Sequence, residues 1–158
     1  MATTELGAGV SISIETFTMT PDAVTTAPTK GTVTTDIARY WRFDKFLFMR
    51  WDYLQSQAGT AGTGTYLFPL PTGLTIDTAH IGVQNSDGTL GVVGVIGTET
   101  GSTRMKGHLH VYDATRLFAT VSNATTEPTI VSPTIVSFGA ADRSFSLVAE
   151  WIPIVEWS

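Results

Sequence analysis

Two histidines stand one residue apart in "HLH", at His108 and His110. Alternate side chains of a strand share a face, so the two imidazoles would stand together there. Such a pair can chelate a metal ion when a third ligand converges, and His80 or Asp113 could supply one if the fold brought it near. The plainer reading is a pair of half-exposed strand histidines with Leu109 pointing inward. It is preferred, and no metal or other cofactor is expected. In a trimer with this strand near the axis, three symmetry copies could still gather around an ion.

The stretch "GTAGTGTY", from Gly59 to Tyr66, has the glycine density of a phosphate-binding loop. A P-loop also needs a lysine for the phosphates, and none lies between Lys45 and Lys106. A dinucleotide loop needs a third glycine opening a helix. Leu67 occupies that position and strand-forming residues follow. The glycines therefore read as a β–β connection. Pro69 and Pro71 end the strand beyond it, because proline cannot donate to the ladder, and Gly73 supplies the next turn.

No G-x-S-x-G elbow accompanies the many serines. The carboxylates are scattered singly, without a pair spaced for acid–base work. Asp52, between Trp51 and Tyr53, could line a sugar cleft, but its neighbour Arg50 favours an exposed ion pair. Asn123-Ala124-Thr125 fits a glycosylation sequon, with nothing else to suggest secretion. No catalytic residue is assigned and the chain is not read as an enzyme.

The elements that must carry these residues are strands. Short β-branched and aromatic runs alternate with Thr, Gly and Pro, and helical spacing is absent. "ARYWRF" and "KFLFMRWDYLQ" read as a hairpin turning at Asp44-Lys45. In its second strand Leu47, Met49, Trp51 and Tyr53 form the face expected in the core. Phe46, Phe48, Arg50 and Asp52 form the other, so Phe46 and Phe48 must meet a second layer or another subunit. Further strands are expected at 66–70, 80–84, 90–96, 105–112, 116–122, 129–137 and 145–154. Polar turns are expected at 85–89, 97–103 and 139–144. Near the N-terminus, "SISIETFTM" alternates with Ile12 and Ile14 on one face. It then shifts phase to Phe17 and Met19, which predicts a bend. The Thr/Pro/Ala-rich stretch after it is either a surface loop or an arm reaching a neighbouring subunit.

The chain has 158 residues, enough for one domain with a substantial core, and carries only 15% charged residues, against roughly 25% in ordinary soluble domains. A chain this poor in charge must hide much of its surface, in a large core, against partner subunits, or in both. The net charge is −5 with no Lys/Arg cluster, so no nucleic acid is expected as partner. Cysteine is absent, which excludes disulfides and thiolate metal sites. No apolar run resembles a signal peptide or reaches the ~20 residues of a membrane span, so synthesis in a cytoplasm and no membrane partner are expected.

Two segments carry a resemblance. "ARYWRF…FLFMRWDY…GTAGTGTYLFPLPTGLTIDTAHI" and "FSLVAEWIPIVEWS" resemble a β-rich module of tailed-phage structural proteins. That family joins an aromatic-Arg strand, a Gly/Thr/Ala loop, an "LPxGLTID" turn (here Leu70 to Asp77) and a closing strand ending Pro-Ile-x-x-Trp (here Pro153, Ile154 and Trp157). The chain departs from it at Arg42-Phe43-Asp44, where the family has Arg-x-Gly, and at Glu156, where it often has Gly. The resemblance covers 38–81 and 145–158. It implies an all-β, jelly-roll-like antiparallel β-sandwich, often trimeric, on the outside of a virion.

The expectation is an extended N-terminal arm over 1–36 and a β-sandwich body over 37–158. The function expected is that of a capsid decoration (cement) protein, made in the host cytoplasm and located on the outer capsid surface. It would bind as a homotrimer to the major capsid protein and stabilise the shell. Ile12, Ile14, Phe17, Met19, Phe46 and Phe48 are the residues expected at shell or subunit contacts. The alternative is a receptor- or glycan-binding module of a tail fibre or baseplate, using turns near Asp87, Glu99 and Asp142. A small β-sandwich hydrolase is a third, weaker option.

Overall fold

The computed structural model describes residues 2–5, 11–81, 91–100, 103–122 and 128–155. Among these the chain is all-β, without a helix. The strands are β1 (Ala2–Glu5), β2 (Ser11–Phe17), β3 (Asp22–Ala23), β4 (Val33–Phe43), β5 (Phe46–Gln55), β6 (Tyr66–Pro69), β7 (Val92–Thr100), β8 (Thr103–Asp113), β9 (Arg116–Ser122), β10 (Thr129–Ile130) and β11 (Arg143–Pro153). Every pairing between strands is antiparallel, in the order β1-β2-β4-β5-β11-β7-β8-β9-β6-β3, with β10 beside β9.

The sheet curls until its far strands face its middle, which gives the sandwich-like core. Alternation drives the curl, because β5 buries Leu47, Met49, Trp51 and Tyr53 on one side. Trp51 stacks on Phe145 of the adjacent strand β11 at 5.8 Å and, across the interior, lies 6.0 Å from Phe68 of β6. Phe138, from the loop before β11, stacks on Phe145 at 4.9 Å and takes Tyr66 edge-on at 5.2 Å. Aromatic pairs of this geometry add about 0.5–1.5 kcal/mol each beyond their burial.

One buried polar side chain fastens this core to its loops. The Gln55 amide oxygen accepts from the Tyr53 hydroxyl at 2.6 Å and from the Gly31 N–H at 3.2 Å. Its NH2 donates to the carbonyls of Phe138, at 2.8 Å, and Ala140.

The N-terminal segment differs from the expected arm over 1–36. Residues 2–5 and 11–14 pair only with each other, and β2 joins the sheet through Glu15–Phe17 opposite Ala38–Tyr40. β1 and β2 thus pair as an antiparallel hairpin at the end of the strand order. β2 ends at Phe17 without a register shift, and Met19, two residues on, lies in the core, 1% exposed. Met19 is therefore a core residue, and its place among the contact residues is corrected. From there the chain crosses to the opposite end of the sheet, where β3 pairs with β6. It returns beside the Gly/Thr loop: Val24 donates to Thr65 O, and Thr26–Thr63 and Thr29–Thr60 exchange backbone hydrogen bonds. An extended segment must pair its backbone groups somewhere. Here it pairs them within its own chain, so 19–36 belongs to the body.

Elsewhere the expected strand over 129–137 shortens to β10, because Pro133 starts a turn. Residues 78–81 form a turn and bend instead of opening a strand at His80. The expected turn at 97–103 narrows, since β7 and β8 stay paired as far as Thr100 opposite Thr103. The turn expected at 85–89 lies outside the described residues.

Candidate functional site

The side of β5 turned away from the core carries Phe46, Phe48, Arg50 and Asp52, as the alternation predicts. Register places Trp41 of β4 opposite Phe48, and the two rings stack 5.5 Å apart and nearly parallel. On the other flank, β11 contributes Trp151, edge-to-face with Phe48 at 4.9 Å and with Phe46 at 5.4 Å. Trp151 is 58% exposed and Phe43, at the end of β4, 45%. The outer face therefore holds a continuous strip of rings reaching solvent. Arg39 and Arg50 face each other two residues further along the same ladder. Arg50 donates to Asp52, and Ser146 donates to the same carboxylate. The Arg50 hydrogen bond holds the Asp52 carboxyl below its usual range.

Trp151 owes its position to a local break in the sheet. Phe145, Leu147 and Ala149 are buried, so alternation would bury residue 151 too. The pairing of β11 with β5 instead shifts between Ala149 and Ile152, which sends Ile152 inward and leaves Glu150 and Trp151 outside. Trp151 adopts φ 56°, the left-handed region that bulky residues rarely enter. Sequence reasoning missed it for this reason. The available signal was the spacing of Ile152, Pro153 and Ile154, a new apolar register ending at proline.

Beside Trp151 lies a cleft of about 420 Å3, lined by Lys45, Phe46, Asp77, His80, Trp151 and Pro153 among others. It forms where the 74–81 segment meets the end of β11. Val155 N–H donates to Thr75 O and Asp77 N–H to Pro153 O, both at 2.8 Å, and Ile76 bridges Ile154. On its rim the Asp77 carboxylate lies 2.7 Å from Nδ1 of His80. The other Asp77 oxygen accepts the N–H of Ala79.

Of the remaining expected contact residues, Ile12, Ile14 and Phe17 are half-buried on β2, with Phe17 edge-on to Tyr40 at 5.9 Å. Glu15 accepts a hydrogen bond from the Tyr40 hydroxyl. Thr16 lies opposite Arg39, so alternation puts Ile12 and Ile14 on the same side of the sheet as Phe46 and Phe48, whereas Phe17 packs with Tyr40 against the core. Of the glycan-binding turns, Glu99 pairs with Arg104 at 3.6 Å and Asp142 sits in a turn at φ 53°. Asp87 lies outside the described residues.

The other candidates resolve into scaffold. His110 is 3% exposed, stacked on Phe118 at 5.0 Å, with Nε2 3.0 Å from the Thr120 hydroxyl. His108 is exposed. Among the described residues no three His, Asp or Glu side chains converge as metal ligands. In the glycine loop, the N–H groups of Gly59, Thr60 and Thr63 donate to Phe138, Thr29 and Thr26 carbonyls, so they cannot cradle a phosphate. A Cβ on Gly59 would lie 2.0 Å from Thr29 O, which explains the glycine.

Comparison with known protein families, with curated proteins and with solved structures finds no match to this chain.

Proposed function

We propose that the chain is a structural protein of a tailed-phage virion, a decoration protein that binds the outer capsid surface as a homotrimer and stabilises the shell. The observation that carries this reading is the aromatic strip of Trp41, Phe46, Phe48 and Trp151 on the face opposite the core. Exposed apolar surface of this kind marks an interaction site, and aromatic residues with Arg are the side chains enriched at interface centres. Trp41 and Phe48 would form the contact between copies, with Arg39 and Arg50 beside them. The β1–β2 hairpin would be the contact to the major capsid protein, because the outer edge of β1 ends the strand order and suits strand addition. Three such contacts in one trimer would act together, gaining about 10²–10⁴ in avidity. Contact between the two segments that resemble phage modules, at Ile76 and Ile154, is consistent with this reading.

Gold-labelled antibody on intact virions tests the placement. Label spread over the head supports decoration. Label confined to the tail tip moves the protein to the receptor-binding alternative. Light scattering of the purified chain tests the trimer, and a monomeric mass at micromolar concentration overturns it.

A further inference from the structure

The cleft beside Trp151 combines three features, of which the assembly reading draws only on the ring of Trp151. The first is a bulky aromatic side chain held in solvent by strained backbone. Trp151 is 58% exposed at φ 56°. A left-handed conformation at a non-glycine residue is strained and concentrates at functional sites. The second is a set of polar groups around one apolar wall. Lys45, Asp77 and His80 line the same cleft as Phe46, Trp151, Pro153 and Ile154. The third is an oriented imidazole. His80 Nδ1 faces the Asp77 carboxylate at 2.7 Å and its side chain is 75% exposed. The Asp77 contact orients the ring and leaves Nε2 free of that carboxylate. The volume of about 420 Å3 falls within the roughly 300–1,000 Å3 of small-ligand pockets.

We infer that this cleft binds a saccharide, with the apolar C–H face of one pyranose ring against Trp151 and its hydroxyls hydrogen-bonded by Asp77, His80 and Lys45. A pyranose chair, with an apolar face of axial C–H groups and a polar rim of hydroxyls, matches an exposed indole flanked by both donors and acceptors. The mixed rim chooses between ligand classes. An aromatic wall with a carboxylate alone would suit an organic cation, but Lys45 on the same wall opposes one. An anion would meet Asp77. A neutral sugar ring meets neither penalty. The cleft shares Phe46 and Trp151 with the strip, but the subunit contact is assigned to Trp41 and Phe48 and is read by oligomeric mass, so either proposal can fail without the other.

The test is saturation-transfer NMR on the full chain with free methyl glycosides of glucose, galactose, mannose and N-acetylglucosamine, and with choline chloride as the cationic comparison. The expected result is transfer to the ring protons of at least one glycoside. Its affinity should fall about tenfold or more in Trp151→Gly and in His80→Ala. Glycine adopts φ 56° without strain and His80 is largely solvent-exposed, so both variants should keep the fold, which amide spectra verify. Absence of transfer to every glycoside overturns the inference. So does transfer unchanged in folded Trp151→Gly, and so does choline binding in place of the sugars.

Discussion

Trp151 lies edge-to-face against Phe48, ring centroids 4.9 Å apart, on the outside of the sheet, and it reaches that position only because its own backbone is left-handed at φ 56°. The contact and the strain oppose each other, and substitution separates them. Trp151→Ala loses the rings and keeps the strain. Trp151→Gly loses the rings and relieves it. Glycine should therefore be the more stable variant by about 1 kcal/mol, the reverse of the usual order in a strand. Urea unfolding midpoints of the two variants decide this.

The N-terminus should divide sharply in its tolerance of truncation. Residues 2–5 and 11–14 pair only with each other, whereas Met19 is fully enclosed. Removing 1–14 is expected to change stability by about 1 kcal/mol or less. Removing 1–19 takes out a core side chain and should cost about 2–5 kcal/mol. If the hairpin contacts the capsid, the shorter truncation already abolishes decoration while its thermal transition stays near that of the intact chain. Capsid co-sedimentation beside a melting curve reads both.

Gln55 satisfies two carbonyls, one backbone N–H and a tyrosine hydroxyl inside the core. Gln55→Leu keeps the volume and leaves those groups without their partner. A loss of about 3 kcal/mol is expected. Hydrogen exchange should show the loss as faster opening of the Gly31 amide.

Alkaline stability should report Tyr53. Burial, with the nearby Asp36 charge adding to it, pushes its hydroxyl from 10.0 up to about 12. Tyrosine is neutral when protonated, so a raised folded value means that the unfolded chain loses its proton first. The contribution of this group is complete below about pH 10 and is lost as the pH rises toward about 12. Tyrosinate absorbance should rise together with unfolding across that window. Ionisation of Tyr53 in a chain that remains folded at pH 11 would contradict it.

The outer strip should be separable from the core. Trp41 stacks on Phe48 outside the sheet, so Trp41→Glu is expected to leave the fold intact at a cost of about 1 kcal/mol. In the trimer reading it leaves a monomer. Sedimentation of the variant beside the parent chain measures this, and a persistent trimer would move the subunit contact elsewhere.

Strand content, the Asp44-Lys45 hairpin turn and the inward face of β5 were legible in the sequence, because strand alternation is a local property carried by neighbouring side chains. Phe46 and Phe48 were placed on the outer face for the same reason. Three things depended on partners far along the chain. Met19 entered the core because the segment after β2 crosses to the other end of the sheet. Its low aromatic content could not reveal that its hydrogen-bond partner is the glycine loop, some thirty to forty residues later. Trp151 left the core because the ladder between β11 and β5 slips, and a bulge belongs to a pair of strands rather than to either sequence. The cleft beside it exists because the 74–81 segment is hydrogen-bonded to the end of β11. Local pattern determined which residues could lie in strands and which faces were apolar. Tertiary pairing decided which of them reach solvent, because exposure depends on the strand that lies alongside.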